Sequence, residues 1–121
     1  MIHKVLTLCF LLSQVSFVMG SENYGIAVHG GAGVMKNLSE NQKQKIEEQI
    51  IKTLTEAFKI IEEGGTSMDA VEFAVSEFED SPLFNAGRGS VYNSEEVQEM
   101  DASIMSGQNR SAGAVASVRT I

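Results

Sequence analysis

The sequence predicts an α+β fold, because a short apolar strand precedes two amphipathic helices and several further strands follow them. Apolar residues recur at helical spacing between Ile46 and Ile61, and again between Val71 and Phe78. After Asn85 the apolar stretches become short and are separated by polar turns, which is typical of strands. This order indicates a sheet that is covered by helices.

Length and charge limit the possibilities. A chain of 121 residues is long enough for one domain. Its net charge is −7, from 16 acidic and 9 basic residues, and the basic residues form no cluster. A protein that binds phosphate backbones or anionic lipid needs the opposite balance. We therefore expect neither nucleic acid nor membrane as a partner.

The first twenty residues have the pattern of a signal peptide. Lys4 precedes the apolar run Val5–Leu12, and small residues follow from Gly20. One alternative to a signal peptide is a membrane anchor, but polar residues within Ser13–Ser16 leave the apolar run short for one. A second alternative is a buried first strand or helix. We expect cleavage after Gly20, export to a periplasm or out of the cell, and a domain at 21–121. The only cysteine, Cys9, would leave with the leader.

The first predicted elements are a buried strand at Tyr24–Val28, a glycine loop and a helix. Asn37 or Ser39 can cap this helix, and Gly64-Gly65 ends it. Its apolar face holds Ile46, Ile50, Leu54, Phe58 and Ile61.

The second helix begins at Thr66, which together with Asp69 has the spacing of a capping box, and it ends at Ser81-Pro82. The predicted inward face is Val71, Ala74, Val75 and Phe78. Three predicted strands follow, at Ser90–Tyr92, Met100–Met105 and Ala112–Val118. Turns at 93–96 and 106–109 separate them. The last strand runs almost to Ile121, which suggests a truncated chain.

The loop His29–Gly33 lets the backbone approach a ligand or another segment closely. It lacks the Gly-Lys-Ser/Thr of a phosphate-binding loop and the third glycine of a dinucleotide fingerprint. Taken alone, it indicates a tight turn, and His29 is more often a structural histidine than a base.

The segment Pro82–Gly89 is more informative. Asn85 can donate a side-chain N–H to a developing oxyanion, or it can stabilise a turn. The backbone carbonyls of such a loop can surround a hard cation. Arg88 can bind a carboxylate or pair with a surface acid. Asp101 further on either orients a loop or is an exposed strand residue.

Other catalytic patterns are missing from the sequence. It contains no Gly-x-Ser-x-Gly elbow and no zinc-ligand spacing, and a Ser-His-Asp triad could use only His29 once the leader is removed.

Five ordered segments resemble the plant-type asparaginases, a family of N-terminal-nucleophile hydrolases. Phe84-Asn85-Ala86-Gly87-Arg88-Gly89-Ser90-Val91 is the most specific of them. The others are Ile26–Gly33, Gly65–Val71, Glu99–Met105 and Ser111–Ala116. Together they cover nearly the whole chain after the leader.

The resemblance implies an enzyme with an αββα sandwich whose precursor cleaves itself. Cleavage frees a threonine that uses its own amino group as the base. The implied reactions are hydrolysis of L-asparagine to aspartate and ammonia, and cleavage of β-aspartyl peptides. The implied partners are these substrates, a β subunit from the same precursor and a second copy of the protein.

The resemblance also implies roles for residues in both loops. Asn85 would lie in the active site beside the nucleophile, and the glycine loop at Gly30, Gly31 and Gly33 would lie near it. No cofactor is expected for catalysis. A structural sodium ion would bind the backbone carbonyls of the second loop, contributed by Phe78, Glu79, Ser81, Phe84, Ala86 and Arg88.

One departure from the family pattern concerns the nucleophile. In the family, the nucleophilic threonine stands in a Gly-Thr-Val-Gly-like context. The segment Val118-Arg119-Thr120-Ile121 of this chain does not match that context. We therefore expect this chain to be inactive alone. Two alternatives stay open: a non-catalytic interaction protein that keeps the first half of the fold, and a relative of glycosylasparaginase.

Overall fold

The computed structural model describes residues 24–31 and 38–120. In chain order these contain helix α1 (Glu40–Glu62), helix α2 (Ser67–Glu79), a 3₁₀ turn (Gly87–Gly89), and strands β1 (Met100–Met105) and β2 (Ala112–Val118). Helices and a sheet are both present, as an α+β fold requires. The described residues hold a single two-stranded sheet, and the αββα sandwich that the resemblance implies is not seen in them. The predicted signal peptide, the Asn37 cap and Gly33 lie outside the described residues.

Helix α1 begins and ends where local chemistry predicts. Ser39 is its N-cap, and the Ser39 hydroxyl accepts a hydrogen bond from the backbone N–H of Gln42 at 3.3 Å. The Gln42 side chain in turn accepts from the backbone N–H of Ser39 at 2.9 Å, which completes a capping box. Gly64 follows the helix with φ of +90°, a conformation that glycine adopts without strain.

Helix α2 has a second capping box. The Thr66 hydroxyl and backbone N–H both donate to Asp69 Oδ2, at 2.7 and 2.8 Å, and the Asp69 N–H donates back to Thr66 Oγ at 3.2 Å. These bonds satisfy donors that the first turn of a helix leaves unpaired. The predicted start at Thr66 is confirmed.

The two helices pack through small side chains. Ala57 of α1 and Ala70 and Ala74 of α2 form a buried cluster. The apolar face predicted for α1 is half-buried around it. The prediction for α2 was partly wrong, because Val71 and Val75 are exposed and Ala70 is buried instead. Small residues let the helix backbones approach closely, and this rotates the two valines away from the contact.

The strand predicted at Tyr24–Val28 was wrong. The segment is not part of a β-ladder with any other described residue, and a strand requires such a partner. Its apolar side chains contact the helices instead: Ile26 and Val28 pack on the alanine cluster, and the Tyr24 ring lies 5.6 Å from that of Phe58.

The strand predicted at Ser90–Tyr92 was also wrong. Tyr92 makes a single antiparallel bridge to Gln98, across the turn at 93–96. Ser90 is buried, but Val91 and Tyr92 are both 68% exposed, so no neighbouring element in the described ranges covers these two residues.

The strands predicted at Met100–Met105 and Ala112–Val118 are confirmed as β1 and β2, and they pair as an antiparallel hairpin in which Ser103 lies opposite Ala114 and Met105 opposite Ala112. The register is irregular between Met100 and Ala102. One face of the hairpin and the valine side of α2 border an apolar groove of about 460 Å³. No helix in the described part of the chain is long and apolar enough to cross a membrane.

Candidate active site

The candidate site is built on the loop that leaves helix α2. The rings of Phe78 and Phe84 lie 4.5 Å apart, and both side chains are buried. Ser81 and Ser90 are buried with them. The aromatic pair therefore fixes the two ends of a short loop whose backbone turns back toward the helix.

Two glycines make this turn possible. Gly87 has φ of +47°, and a Cβ there would collide with the carbonyl oxygen of Glu79. A Cβ at Gly89 would collide with the carbonyl oxygen of Phe84. Since only glycine lacks a Cβ, the loop can bring its glycines against these two carbonyls.

The residues predicted to bind sodium lie at the end of helix α2 (Phe78 and Glu79) and in this loop (Ser81, Phe84, Ala86 and Arg88), and their backbone carbonyls suit a hard cation. The Ala86 carbonyl accepts from the Gly89 N–H at 2.9 Å, and the Phe78 carbonyl accepts from the Ser81 N–H at 3.3 Å. Each oxygen keeps a second lone pair. The carbonyls of Glu79 and Phe84 accept no backbone hydrogen bond from the described residues outside the helix ladder. Backbone oxygens of this kind suit sodium or calcium better than a transition metal.

The Arg88 side chain pairs with a surface acid, which is the second of the two partners predicted for it. Its Nε lies 3.2 Å from Asp80 Oδ1, and both side chains are 75% exposed. Such an exposed ion pair contributes little to stability. Only the carbonyl of Arg88 is thus available to the proposed sodium site. In the described ranges, no group of three or more His, Cys, Asp or Glu residues could hold a metal ion.

Asn85 uses one end of its side chain to shape the loop. Its Oδ1 accepts a hydrogen bond from the backbone N–H of Val91 at 2.9 Å. This bond confirms the turn-stabilising interpretation. A backbone N–H can only donate, so the oxygen must face Val91 and Nδ2 remains a donor. Asn85 borders an open cleft of about 250 Å³ together with Glu99 and Asp101.

Two of the three acids that border this cleft, Asp101 and Glu99, already have partners. Asp101 Oδ1 accepts from the backbone N–H of Ser117 at 2.9 Å, and Ser117 has φ of +53°. Asp101 is exposed, and its carboxylate also orients the end of β2. Glu99 pairs with Arg119 at 3.1 Å and accepts from the Asn93 amide at 2.9 Å. Both carboxylates hold the walls of the cleft in place.

The first glycine loop meets the second one. A Cβ on Gly30 would lie 3.2 Å from the Phe84 ring and 3.4 Å from Ile50, so the loop packs closely there. His29 has the structural role that was predicted, because its Nδ1 accepts from the Gly31 N–H at 3.1 Å. Gly31 has φ of +103°.

Two supporting residues were not predicted from the sequence. The Ser90 hydroxyl donates to the Gly87 carbonyl at 2.8 Å, and the Gln98 amide donates to the Ser90 carbonyl at 2.6 Å. A serine directly after a two-glycine turn is a signal that could have identified Ser90. Gln98 acts across eight positions, and no local pattern indicates it.

The chain is similar to known proteins over nearly all of its length after the predicted leader. A family model described as asparaginase matches residues 22–121. An isoaspartyl peptidase/L-asparaginase of Mus musculus is 50% identical over 96 residues, which is 79% of this chain and 29% of that protein. The Bos taurus protein of the same name is 47% identical over 96 residues, at 79% and 30% coverage.

A plant relative gives the same result. A probable isoaspartyl peptidase/L-asparaginase 2 of Arabidopsis thaliana is 37% identical over 98 residues, which is 81% of this chain and 30% of that protein. The chain thus spans under a third of the length of these curated relatives. The matched region contains both glycine-bearing loops, both helices and the hairpin. The chain therefore belongs to the asparaginase family.

Proposed function

We propose that these residues are the first part of an amidohydrolase that converts L-asparagine to L-aspartate and ammonia and cleaves β-aspartyl peptides. The main support is the asparaginase match over residues 22–121, which includes Asn85, whose amide nitrogen donates to no other described residue. The names of the mouse, bovine and plant relatives state both activities for those proteins.

In the proposed reaction, a threonine oxygen attacks the side-chain carbonyl carbon of the substrate. The bond to nitrogen then breaks, ammonia or the peptide amine leaves with a proton, and water hydrolyses the resulting ester. Asn85 Nδ2 donates to the oxyanion that forms during the attack. Its Oδ1 is held by Val91 at 2.9 Å, so the donor is already oriented before substrate binds.

The loop carbonyls have a different proposed role. A bound sodium ion would be coordinated by the backbone carbonyl oxygens of Phe78, Glu79, Ser81, Phe84, Ala86 and Arg88 and so keep the loop in shape. The proposed ion takes no part in bond making. Gly30 supports the same loop through its contact with Phe84.

The threonine in this proposal forms the first residue of a β subunit, released when the precursor cleaves itself, and two copies of the mature protein assemble. Thr120 does not stand in the matching context. We infer that residues 21–121 alone do not turn over either substrate. Residues 1–20 act as a cleaved leader in this proposal, and the protein is exported.

A chimera tests the activity directly. Residues 22–121 would replace the matching segment of the mouse relative, which is 50% identical over this region. We expect the chimera to cleave itself and to release ammonia from L-asparagine, while residues 21–121 alone release none.

The unmodified mouse protein and a chimera with its nucleophilic threonine changed to alanine serve as controls. A chimera that folds and cleaves itself but leaves both substrates intact would contradict the proposal. Turnover by residues 21–121 alone would contradict the inference that they lack a nucleophile.

A further inference from the structure

The turn between β1 and β2 contains an acceptor sequence for N-linked glycosylation, which the proposed activity does not use. Asn109-Arg110-Ser111 has the form Asn-x-Ser with a middle residue other than proline. Such sequences are modified only in chains that enter the secretory pathway. The inference therefore rests on the proposed export and is independent of the catalytic proposal.

The structure places this sequence where a bulky group can be attached. Gly107, Gln108, Asn109 and Arg110 are all exposed at the tip of the hairpin. Arg110 has φ of +60°, which directs the chain sharply into β2. No described element covers the turn, so a glycan there would extend into solvent.

The acceptor amide is also held in a defined orientation. Asn109 Oδ1 accepts from the backbone N–H of Ser111 at 3.0 Å and from the Ser111 hydroxyl at 2.7 Å. The backbone N–H can only donate, so the oxygen faces Ser111 and Nδ2 faces away. Nδ2 makes no hydrogen bond to any described residue. The atom that would carry the sugar is accessible, and the required hydroxyl lies beside the amide.

A second sequence of the same form, Asn37-Leu38-Ser39, is less suitable. Asn37 lies outside the described residues. The Ser39 hydroxyl caps helix α1 through Gln42, so this sequence is part of the start of a helix. Modification at Asn109 can therefore be compared with modification at Asn37 in the same protein.

A glycan on the hairpin tip would not obstruct the candidate active site. Met100 and Asp101, at the start of β1, border the Asn85 cleft, and Met105 lies at the other end of the strand. The five residue steps from Met100 to Met105 cover about 17 Å at about 3.4 Å each. Modification and catalysis are thus compatible in the same molecule.

We propose that Asn109 is an N-linked glycan acceptor in the exported protein. In this step the nitrogen Nδ2 attacks the anomeric carbon of an oligosaccharide carried on a lipid pyrophosphate. The new bond joins that carbon to Nδ2, and the bond from the carbon to the phosphate oxygen breaks. The lipid pyrophosphate leaves with the bonding electrons, and one amide proton passes to a base of the transferase.

The test uses residues 1–121 expressed in a eukaryotic cell with a secretory pathway. Mass spectrometry of the total protein from cells and medium would locate glycans, so the readout does not depend on folding. Peptide N-glycosidase would convert a modified Asn109 to Asp. We expect Asn109→Gln and Ser111→Ala each to abolish modification at 109, Ser111→Thr to retain it, and Asn37→Gln to leave it unchanged.

In a second version, the leader of a secreted host protein replaces residues 1–20. This version distinguishes the proposed export by residues 1–20 from the proposed acceptor role of Asn109. Unmodified Asn109 with both leaders would overturn the acceptor assignment, and so would a glycan at Asn37 only. Modification with the host leader only would show that residues 1–20 do not export the chain, and this would overturn the proposal for the natural protein.

Discussion

Asn85 illustrates how one side chain can have a structural and a chemical role. Its oxygen holds the backbone N–H of Val91 at 2.9 Å, and its nitrogen remains a donor at the edge of a cleft. A side-chain amide is well suited to this division, because its acceptor and its donor are the two ends of one rigid, planar group. The two roles can be separated by substitution.

In the mouse chimera, we predict that Asn85→Asp and Asn85→Ala both lower kcat by about 10²–10³-fold, because each removes the proposed oxyanion donor. Aspartate keeps an oxygen that can accept from the Val91 N–H. The free energy of unfolding of the Asn85→Asp variant should therefore stay close to that of the parent chimera. Ala should also lose about 1 kcal/mol of stability. Steady-state kinetics and urea unfolding measure both quantities. A normal kcat for Asn85→Ala would contradict the role.

Gly87 is the residue on which the shape of the loop depends most. We predict that Gly87→Ala destabilises the chimera by about 1–3 kcal/mol, because its φ of +47° is strained for alanine and the new Cβ collides with the Glu79 carbonyl. Gly107→Ala is the matched control, since a Cβ on Gly107, at the exposed tip of the hairpin, meets no described atom within 4 Å. Urea unfolding compares the two variants. Equal free energies of unfolding would show that the loop can relax.

At the scale of elements, the start of α2 depends on Asp69 being ionised. Hydrogen bonds from the Thr66 hydroxyl, and then from its backbone N–H, lower the pKa of Asp69 below its usual value. A lowered pKa in the folded state means that the unfolded chain binds the proton more readily. The contribution to stability is complete above the usual carboxyl pKa and is lost as the pH falls through the lower, folded pKa.

We predict that Thr66→Ala raises the pKa of Asp69 toward its usual value and weakens the acid dependence of stability. Carboxyl NMR titration of the chimera measures the pKa, and thermal unfolding at decreasing pH measures the stability. Glu72→Gln, on the same helix, should leave the titration of Asp69 unchanged. An identical Asp69 titration with and without the threonine hydroxyl would refute the assigned cause.

The contact between the helices depends on small side chains. Ala57 and Ala70 are both fully buried where α1 crosses α2. We predict that Ala57→Leu destabilises the chimera by about 1–3 kcal/mol, because the added carbons have no space in the contact. Lys45→Leu introduces the same side chain at an exposed position of α1 and should change stability little. Denaturant unfolding distinguishes them, and equal effects would mean that the helices can separate at low cost.

At the scale of the whole molecule, the described residues leave much apolar surface uncovered. Val71, Val75, Ile104 and Val115 face the groove between α2 and the hairpin and are 38–54% exposed. The fully buried apolar core consists of few residues, mostly alanines. A contiguous apolar surface of this kind normally packs against further protein.

We predict that residues 21–121 expressed alone bind a hydrophobic dye such as ANS and unfold over a broad temperature range. The chimera should do neither, because the rest of its chain is available to cover the groove. A Val71→Ser, Val75→Ser double variant of the short chain should bind less dye. Dye fluorescence at the wild-type background level, together with a sharp thermal transition, would show that the short chain is a complete folding unit.

The sequence by itself determined the elements that depend on near neighbours. Ser39 and Thr66 cap helices through residues three positions away, Gly64 ends α1, and the turn at 106–109 joins two adjacent strands. Each of these features forms through contacts within a few residues, so a local pattern is enough to predict it. The five segments that resemble the asparaginase family could also be identified from the sequence alone, because each is a short run of adjacent residues.

Only the tertiary structure decided which surfaces meet. It buried Ala70 in place of Val71, left Tyr24–Val28 without a partner strand among the described residues, and joined Asn85 to Val91. Strand pairing and helix burial depend on a partner that is distant in the sequence, and the periodicity of one segment does not encode that partner. The same holds for Gln98 and for the contact between Gly30 and Phe84.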